Sequence, residues 1–224
     1  MAYIAIAFGA YLLGSIPFGF LVARVKGIDI RSVGSGNIGA TNAMRVLGKP
    51  AGIFVLLMDV LKGYIACGLL PPLIFNALAP HYSGLYVFFQ NEPVELQTRL
   101  TVLAGICAVL GHNYTCWLKF KGGKGIATTA GVYLALAPWA VLVALIVFIL
   151  ALLLTRYVSV ASISAAVALP VAVWVMTPHN LLLGVVSTAL GLMAIYKHKS
   201  NIQRLRAGTE NRLGKKPAGQ GGAK

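Results

Sequence analysis

IATTAGVYLALAPWAVLVALIVFILALLLT, residues 126–155, decides the fold. The stretch carries no charge, and Pro138 interrupts it. A membrane span needs about 20 apolar residues, each rising ~1.5 Å across a hydrocarbon core of ~30 Å. These residues therefore make either one tilted helix or two short ones. Charge separates the two readings. Two helices with a turn near Pro138 return Arg156 and the basic residues behind it to the side that holds the loops at 23–49 and 119–125. One helix would put them on the opposite side. Lys and Arg gather on the cytoplasmic side of membrane proteins, so the chain is read with two.

Working outward, the same test gives spans at 3–22, 52–75, 100–118, 158–176 and 181–196, with Pro17 placed to kink the first. The prediction is an all-α, polytopic integral membrane protein of about seven transmembrane helices, N-terminus outside and C-terminus cytoplasmic. The inner side then holds Arg24, Lys26, Arg31, Arg45, Lys49, Lys119, Lys121, Lys124, Arg156 and eight basic residues of the tail, while only Arg99 lies outside. Residues 76–99 form the outer loop, where Tyr82, Tyr86, Phe88 and Phe89, beside Glu92 and Glu95, suit an interfacial belt. Residues 1–214 read as one membrane-embedded domain, and 215–224 have the composition of a disordered tail.

Composition agrees: of 224 residues, 58% are apolar and 11% charged, against about 25% charged in soluble domains. The net charge of +14 invites a nucleic-acid reading, but the basic residues fall in short clusters between apolar runs, so no nucleic-acid partner is expected. Cys67, Cys107 and Cys116 show neither metal spacing nor a disulfide framework and read as membrane-buried hydrophobes. No basic stretch precedes the first apolar run, which reads as a retained span and not as a signal peptide.

Polar chemistry concentrates in three motifs that the seven-span topology puts on one face. SGNIGATNAMR (35–45) offers Gly36 and Gly39 for turning backbone N–H groups toward an anion, with Ser35, Asn37, Thr41 and Asn42 as short hydrogen-bonding side chains. Arg45 adds a fork suited to phosphate. GHNYTCWLKFKGGKGIAT (111–128) sets Gly122, Gly123 and Gly125 around Lys124 just before an apolar helix, a place for phosphate. It is not a Walker A motif, because Gly125 stands where Ser or Thr is needed. HKSNIQRLRAGTENRLG (198–214) puts His198 and Asn201 on one helical face, and Glu210 is placed to hold neighbouring arginines. Inside the second span, Asp59 and Lys62 share a face and read as a structural ion pair, the alternative being Lys62 near the active cleft. His112 reads equally well as a helix-end residue or as part of the site.

With these motifs in order, and with SIPFG (15–19), GIDIR (27–31), DVLKG (59–63), GHNY (111–114), FKGGKGIAT (120–128), RYVSVASI (156–163) and NIQRLRAGTENRLG (201–214), nearly the whole chain resembles the bacterial acyl-phosphate:glycerol-3-phosphate acyltransferases, the PlsY family. The longer outer loop around 81–97 and the Gly-rich end depart from the family but touch no motif. The resemblance implies transfer of a fatty acyl group from acyl phosphate to the sn-1 hydroxyl of glycerol 3-phosphate, giving 1-acylglycerol 3-phosphate (lysophosphatidic acid) and inorganic phosphate at the start of bacterial phospholipid synthesis. It implies an inner-membrane enzyme with its active site at the cytoplasmic face, acting as a monomer among membrane lipid with no cofactor and no metal. In keeping with a donor other than a thioester, no histidine is followed five residues later by Asp, so the His-x4-Asp pair of thioester-using glycerolipid acyltransferases is absent.

The resemblance further implies catalytic roles for Ser35, Arg45, Lys124, His198 and Asn201. It implies substrate contacts from Gly36, Asn37, Thr41, Asn42, His112, Gly122, Gly123, Gly125, Ser159 and Ser162, and structural roles for Glu210, Asp59 and Lys62. Two other classes fit the residues: a membrane transporter of a phosphate ester and a lipid-binding scaffold with a basic tail. The sequence shows no inverted repeat of the kind many transporters carry.

Overall fold

A computed structural model describes residues 1–78 and 93–214. They fall into two compact units that divide after Pro138, and every described regular element is helical. In the first unit, α1 (Ala2–Ser15) and α2 (Phe18–Val25) follow each other across Ile16–Pro17. Pro17 has no N–H to continue the ladder, so the helix is interrupted at Ile16–Pro17, while Ala2–Val25 together still makes one crossing stretch. The predicted loop at 23–49 also contains α3 (Ala40–Leu47), which begins after Gly39 and stops at Gly48, φ 95°. Its short apolar face, too brief for a hydropathy signal, buries Ala43.

α4 (Lys49–Tyr64) passes through a π-helical turn, Ile65–Leu69, into α5 (Leu70–Ala77). The wider turn accommodates Pro71 and Pro72, which cannot donate to it. α6 (Val94–Asn113) begins six residues before the predicted third span, right after Pro93, where Arg99 meets Glu95 at 3.3 Å one turn away. It ends at Asn113, and a 3-10 turn (Cys116–Leu118) completes the stretch. His81, Tyr82, Tyr86, Phe88, Phe89 and Glu92 lie outside the described residues, as does 215–224. α7 (Ile126–Leu136) ends one residue before α8 (Pro138–Thr155) begins. The decisive stretch is thus two helices. α7, with 11 residues, rises ~16 Å at ~1.5 Å per residue, about half of a hydrocarbon core.

The second unit consists of α8, α9 (Val158–Met176), α10 (Leu181–Lys197) and α11 (Lys199–Arg206), with a 52° bend between the last two. Five described stretches are long and apolar enough to cross a membrane: Ala2–Val25, Lys49–Ala77, Val94–Leu118, Pro138–Thr155 and Val158–Met176. The bent α10–α11 pair is a sixth if taken as one span.

Helices approach closely where one of them carries glycine, as membrane helices do when apolar burial no longer drives association. A methyl group on Gly14 of α1 would strike the Ala108 backbone, and one on Gly111 of α6 would strike the Tyr11 carbonyl. Gly63 of α4 faces the Thr128 carbonyl, and Gly131 of α7 faces that of Val60. In the second unit Gly191 of α10 lies against the Ala166 carbonyl of α9. The three cysteines are free thiols, with Cys67 fully buried.

Candidate active site

The first polar motif is a loop built around one amide. Asn42, 2% exposed, accepts the Ser35 N–H at 2.8 Å and donates to the carbonyls of Ile30, Val33 and Asn37 at 3.2, 3.1 and 2.9 Å. Gly36 N–H bonds to the Val33 carbonyl, and Gly39 N–H to Asn37 Oδ1. The glycine nest expected here is therefore not open at these positions: Ser35, Gly36 and Gly39 donate within the loop. Gly36, φ 70°, serves its curvature. Exposed side chains are Ser35 on the loop and Thr41 and Arg45 on α3, beside half-buried Asn37. Beneath it, Ala23, Ile30, Ile38, Ala43, Val55 and Leu118 form one apolar cluster.

Leu118 also belongs to the turn that leads into the second motif, so the two polar loops share that floor. Here Gly122 N–H bonds to the Asn113 carbonyl at 3.2 Å and Gly123 N–H to the His112 carbonyl at 3.0 Å. The glycines are needed for contact with the end of α6. A methyl group on Gly122 would run into the His112 carbonyl, and one on Gly123 into His112 Nε2. Gly125, φ 85°, would bring a methyl within 2.8 Å of Asn113 Oδ1. Past Gly125, α7 starts without a side-chain cap, and the first helical bond back is Thr129 N–H to the Gly125 carbonyl, 2.7 Å. The N–H groups of Ile126, Ala127 and Thr128 precede that bond and belong to the first turn, which has no partners within its own helix. The Thr128 hydroxyl, fully buried, has no hydrogen-bond partner among the described residues. Half-buried Lys124 completes a short positive turn. Such a turn attracts phosphate by donors and dipole together.

Behind this turn lies a buried charged group. Lys62 Nζ stands 2.8 Å from Asp59 Oδ1 and donates to the Ile16 carbonyl, at the break before Pro17, also at 2.8 Å. His112 Nδ1 is 3.6 Å from the same Asp59 oxygen. The ion pair expected from their spacing is present. Its link to His112, more than fifty residues away in the chain, had no local sequence signal, nor did the packing of Asn113 on Gly125.

In the second unit, His198 caps the end of α10 and is buried, its Nδ1 2.7 Å from the Ala194 carbonyl. A carbonyl only accepts, so Nδ1 carries the proton and a neutral ring is left with Nε2 as its acceptor. Asn201, buried on α11, donates to Glu210 Oε1 at 2.8 Å, and Arg204 Nε binds Glu210 Oε2 at 2.7 Å. Glu210 thus holds a neighbouring arginine, as its place in the tail suggested. On α9, Ser159 and Ser162 are buried, and the Ser159 hydroxyl has no hydrogen-bond partner among the described residues.

The acids near these motifs are engaged. Two side-chain hydrogen bonds from Arg31, at 2.9 and 2.7 Å, hold the Asp29 carboxyl down to about 2 from its ordinary 3.8. It stays ionised throughout the physiological range and is a weak proton acceptor. Glu210 is bound by Asn201 and Arg204, and Asp59 by Lys62.

The family model for glycerol-3-phosphate acyltransferase matches residues 4–208. A glycerol-3-phosphate acyltransferase of Geotalea daltonii is 45% identical over 208 residues, which span 93% of this chain and 96% of the relative. One from Geobacter metallireducens is 49% identical over 206 residues, 92% and 94% of the two chains. Crystal structures of PlsY, an integral membrane glycerol 3-phosphate acyltransferase, superpose with TM-scores of 0.80 for the glycerol 3-phosphate form and 0.77 for the lysophosphatidic acid form. Each is 37% identical and covers 96% of both chains.

Proposed function

The chain belongs to the glycerol-3-phosphate acyltransferase family and is a multi-pass membrane acyltransferase; on that premise we propose that it moves a fatty acyl group from acyl phosphate to the sn-1 hydroxyl of glycerol 3-phosphate. The products are 1-acylglycerol 3-phosphate and inorganic phosphate. The observation that carries the reading is the turn Gly122–Thr128, where Lys124 stands beside the uncapped start of α7 and the end of α6 braces the glycines; we read this turn as the phosphate site. Glycerol 3-phosphate brings the matching phosphate. An apolar cleft of about 310 Å³, lined by Ile16, Pro17, Phe20, Leu21, Trp117 and Leu118, suits the donor's acyl chain. It opens beside the turn that leads into the glycine loop.

An acyl phosphate is a mixed anhydride and already activated, so the protein has to position two anions and offset their charge. In the proposed step the glycerol 3-phosphate hydroxyl attacks the acyl carbonyl carbon. The new ester C–O bond forms, the carbonyl-to-phosphate C–O bond breaks, and a substrate phosphate oxygen takes the hydroxyl proton. The engagement of Asp29 and Glu210 favours a substrate oxygen as acceptor. Ser35 donates a hydrogen bond, and Arg45 and Lys124 neutralise phosphate. The family resemblance implies catalytic roles for His198 and Asn201 as well. Gly36, Asn37, Thr41, Asn42, His112, Gly122, Gly123, Gly125, Ser159 and Ser162 shape binding, while Asp59, Lys62 and Glu210 hold structure.

The proposal includes one membrane-embedded domain over 1–214 in the bacterial inner membrane. It has seven spans, the N-terminus outside, the active site and tail cytoplasmic, and acts as a monomer among lipid. Purified protein given palmitoyl phosphate and glycerol 3-phosphate should release inorganic phosphate in step with monoacyl product. Turnover with an acyl thioester and none with acyl phosphate would sink the donor assignment.

A further inference from the structure

Asp59, Lys62 and His112 are each 5% exposed or less, and two of them sit in the middle of a span. Buried ion pairs are frequently replaceable by apolar residues without loss of stability. Within a bilayer they mark function more often than packing. Lys62 has a local task at the Ile16 carbonyl. Asp59 has a second one, because its Oδ1 also faces His112 Nδ1. The opposite edge of the imidazole abuts the glycine loop: a methyl on Gly123 would meet Nε2, and would lie 2.9 Å from Cε1. The His112 carbonyl meanwhile accepts the Gly123 N–H. The ring therefore stands between a carboxylate on α4 and the backbone of the loop before α7. With Nε2 turned to that backbone, it has the place of a strut and not of a proton acceptor.

We propose that Asp59 and His112 are positioning residues that set where the Gly122–Gly125 loop sits, and through it the affinity for glycerol 3-phosphate. This rests on the reading of that loop as the glycerol 3-phosphate site. The carboxylate fixes the ring's orientation, and the ring fixes the loop. Glycine at position 123 is then required by the ring behind it, independently of any ligand in front.

Kinetics of four variants test this: His112→Ala, Gly123→Ala, His112→Ala/Gly123→Ala, and Asp59→Asn/Lys62→Met, which removes both buried charges together so that neither is stranded. His112→Ala and Gly123→Ala should each raise KM for glycerol 3-phosphate about tenfold and leave KM for acyl phosphate within about twofold. The double variant should lie nearer wild type than Gly123→Ala alone, since the added methyl then occupies space the ring has left. Asp59→Asn/Lys62→Met should reproduce the His112→Ala shift at a wild-type melting temperature. A merely structural role would lower the melting temperature and move both KM values together, and that result overturns the proposal. So does a double variant whose two effects multiply. Wild-type glycerol 3-phosphate KM in Gly123→Ala removes the loop reading and the strut with it. A shift in Gly123→Ala without one in the His112 and Asp59 variants overturns the strut and leaves the loop reading in place.

Discussion

Asn42, on α3 with Arg45, uses both ends of its amide to hold the preceding loop that carries Ser35, with four hydrogen bonds between 2.8 and 3.2 Å. Removing them strands the buried Ile30 carbonyl, at about 1–3 kcal/mol, and loosens the part-buried carbonyls of Val33 and Asn37. Asn42→Ala should therefore lower the melting temperature of the detergent-solubilised protein and abolish most activity. Asn42→Asp should do more, because a second oxygen would face three carbonyls. A raised glycerol 3-phosphate KM at unchanged melting temperature would instead make Asn42 a ligand contact. Ser35 is the opposite case: its backbone is tied to Asn42 while its side chain is exposed. A serine nucleophile needs a base beside it, and the nearby acid Asp29 is held ionised by Arg31. Ser35→Ala should be badly impaired, yet wild-type enzyme mixed with acyl phosphate alone and quenched should show no acyl adduct in its intact mass. A stoichiometric adduct on Ser35, formed at the turnover rate, replaces direct attack with a ping-pong route. At this scale the sequence revealed the polar residues but not their direction. Gly123 read as a place where the backbone approaches phosphate, and a methyl there would also meet His112. That distinction depends on what stands behind a residue, which spacing along a chain does not carry.

Elements were legible wherever composition alone decides them. The apolar runs became helices, with interruptions at Pro17 and Pro138, where the missing N–H removes a ladder bond, while Pro170 is carried inside α9. α9 spans Val158–Met176, the same residues that hydropathy marks. The misses are elements without an apolar excess. α3 is short and amphipathic, and the first turns of α6 carry Glu95 and Arg99. The same physics explains the helix contacts. Between lipid-facing helices, close approach gives the attraction that apolar burial gives in water, so a glycine at the crossing is worth more than its low helix propensity. Gly14 lies at the α1–α6 crossing with no space for a side chain. Tyr11 Oη to the Tyr114 carbonyl, 2.8 Å, and Thr115 Oγ1 to the Ser15 carbonyl, 2.6 Å, fasten the same ends. Gly14→Val should separate the pair and destabilise the purified protein by about 2 kcal/mol or more, an overpacking effect. Thermal unfolding in detergent measures it. A wild-type melting temperature would show that this contact contributes little.

For the whole molecule, charge is the guide to orientation. In the first unit, Arg24, Lys26, Arg31, Arg45, Lys49, Lys119, Lys121 and Lys124 fall at or between the span ends near Val25, Lys49 and Leu118, and Glu95 and Arg99 fall at the other end of α6. The break at Ala137 makes two helices of 126–155, but 11 residues of α7 rise only ~16 Å. Whether Arg156 and the tail share the side of Lys121 therefore turns on α7 together with the glycine loop before it covering the membrane's depth. If they do, single cysteines placed at Lys121 and Arg206 in a background with Cys67, Cys107 and Cys116 replaced by alanine should resist an impermeant thiol reagent added to intact cells. Both should react once the membrane is opened. A cysteine at Glu95, 82% exposed at the other end of α6, should react from outside without opening. Labelling of Lys121 and Arg206 from opposite sides would leave α7 as a re-entrant helix. The labelling would then report Lys121 and Arg206 on opposite faces of the membrane. One reaction could not then use groups beside each of them, so the same experiment that counts the spans also decides whether the catalytic assignments in the two units can hold together.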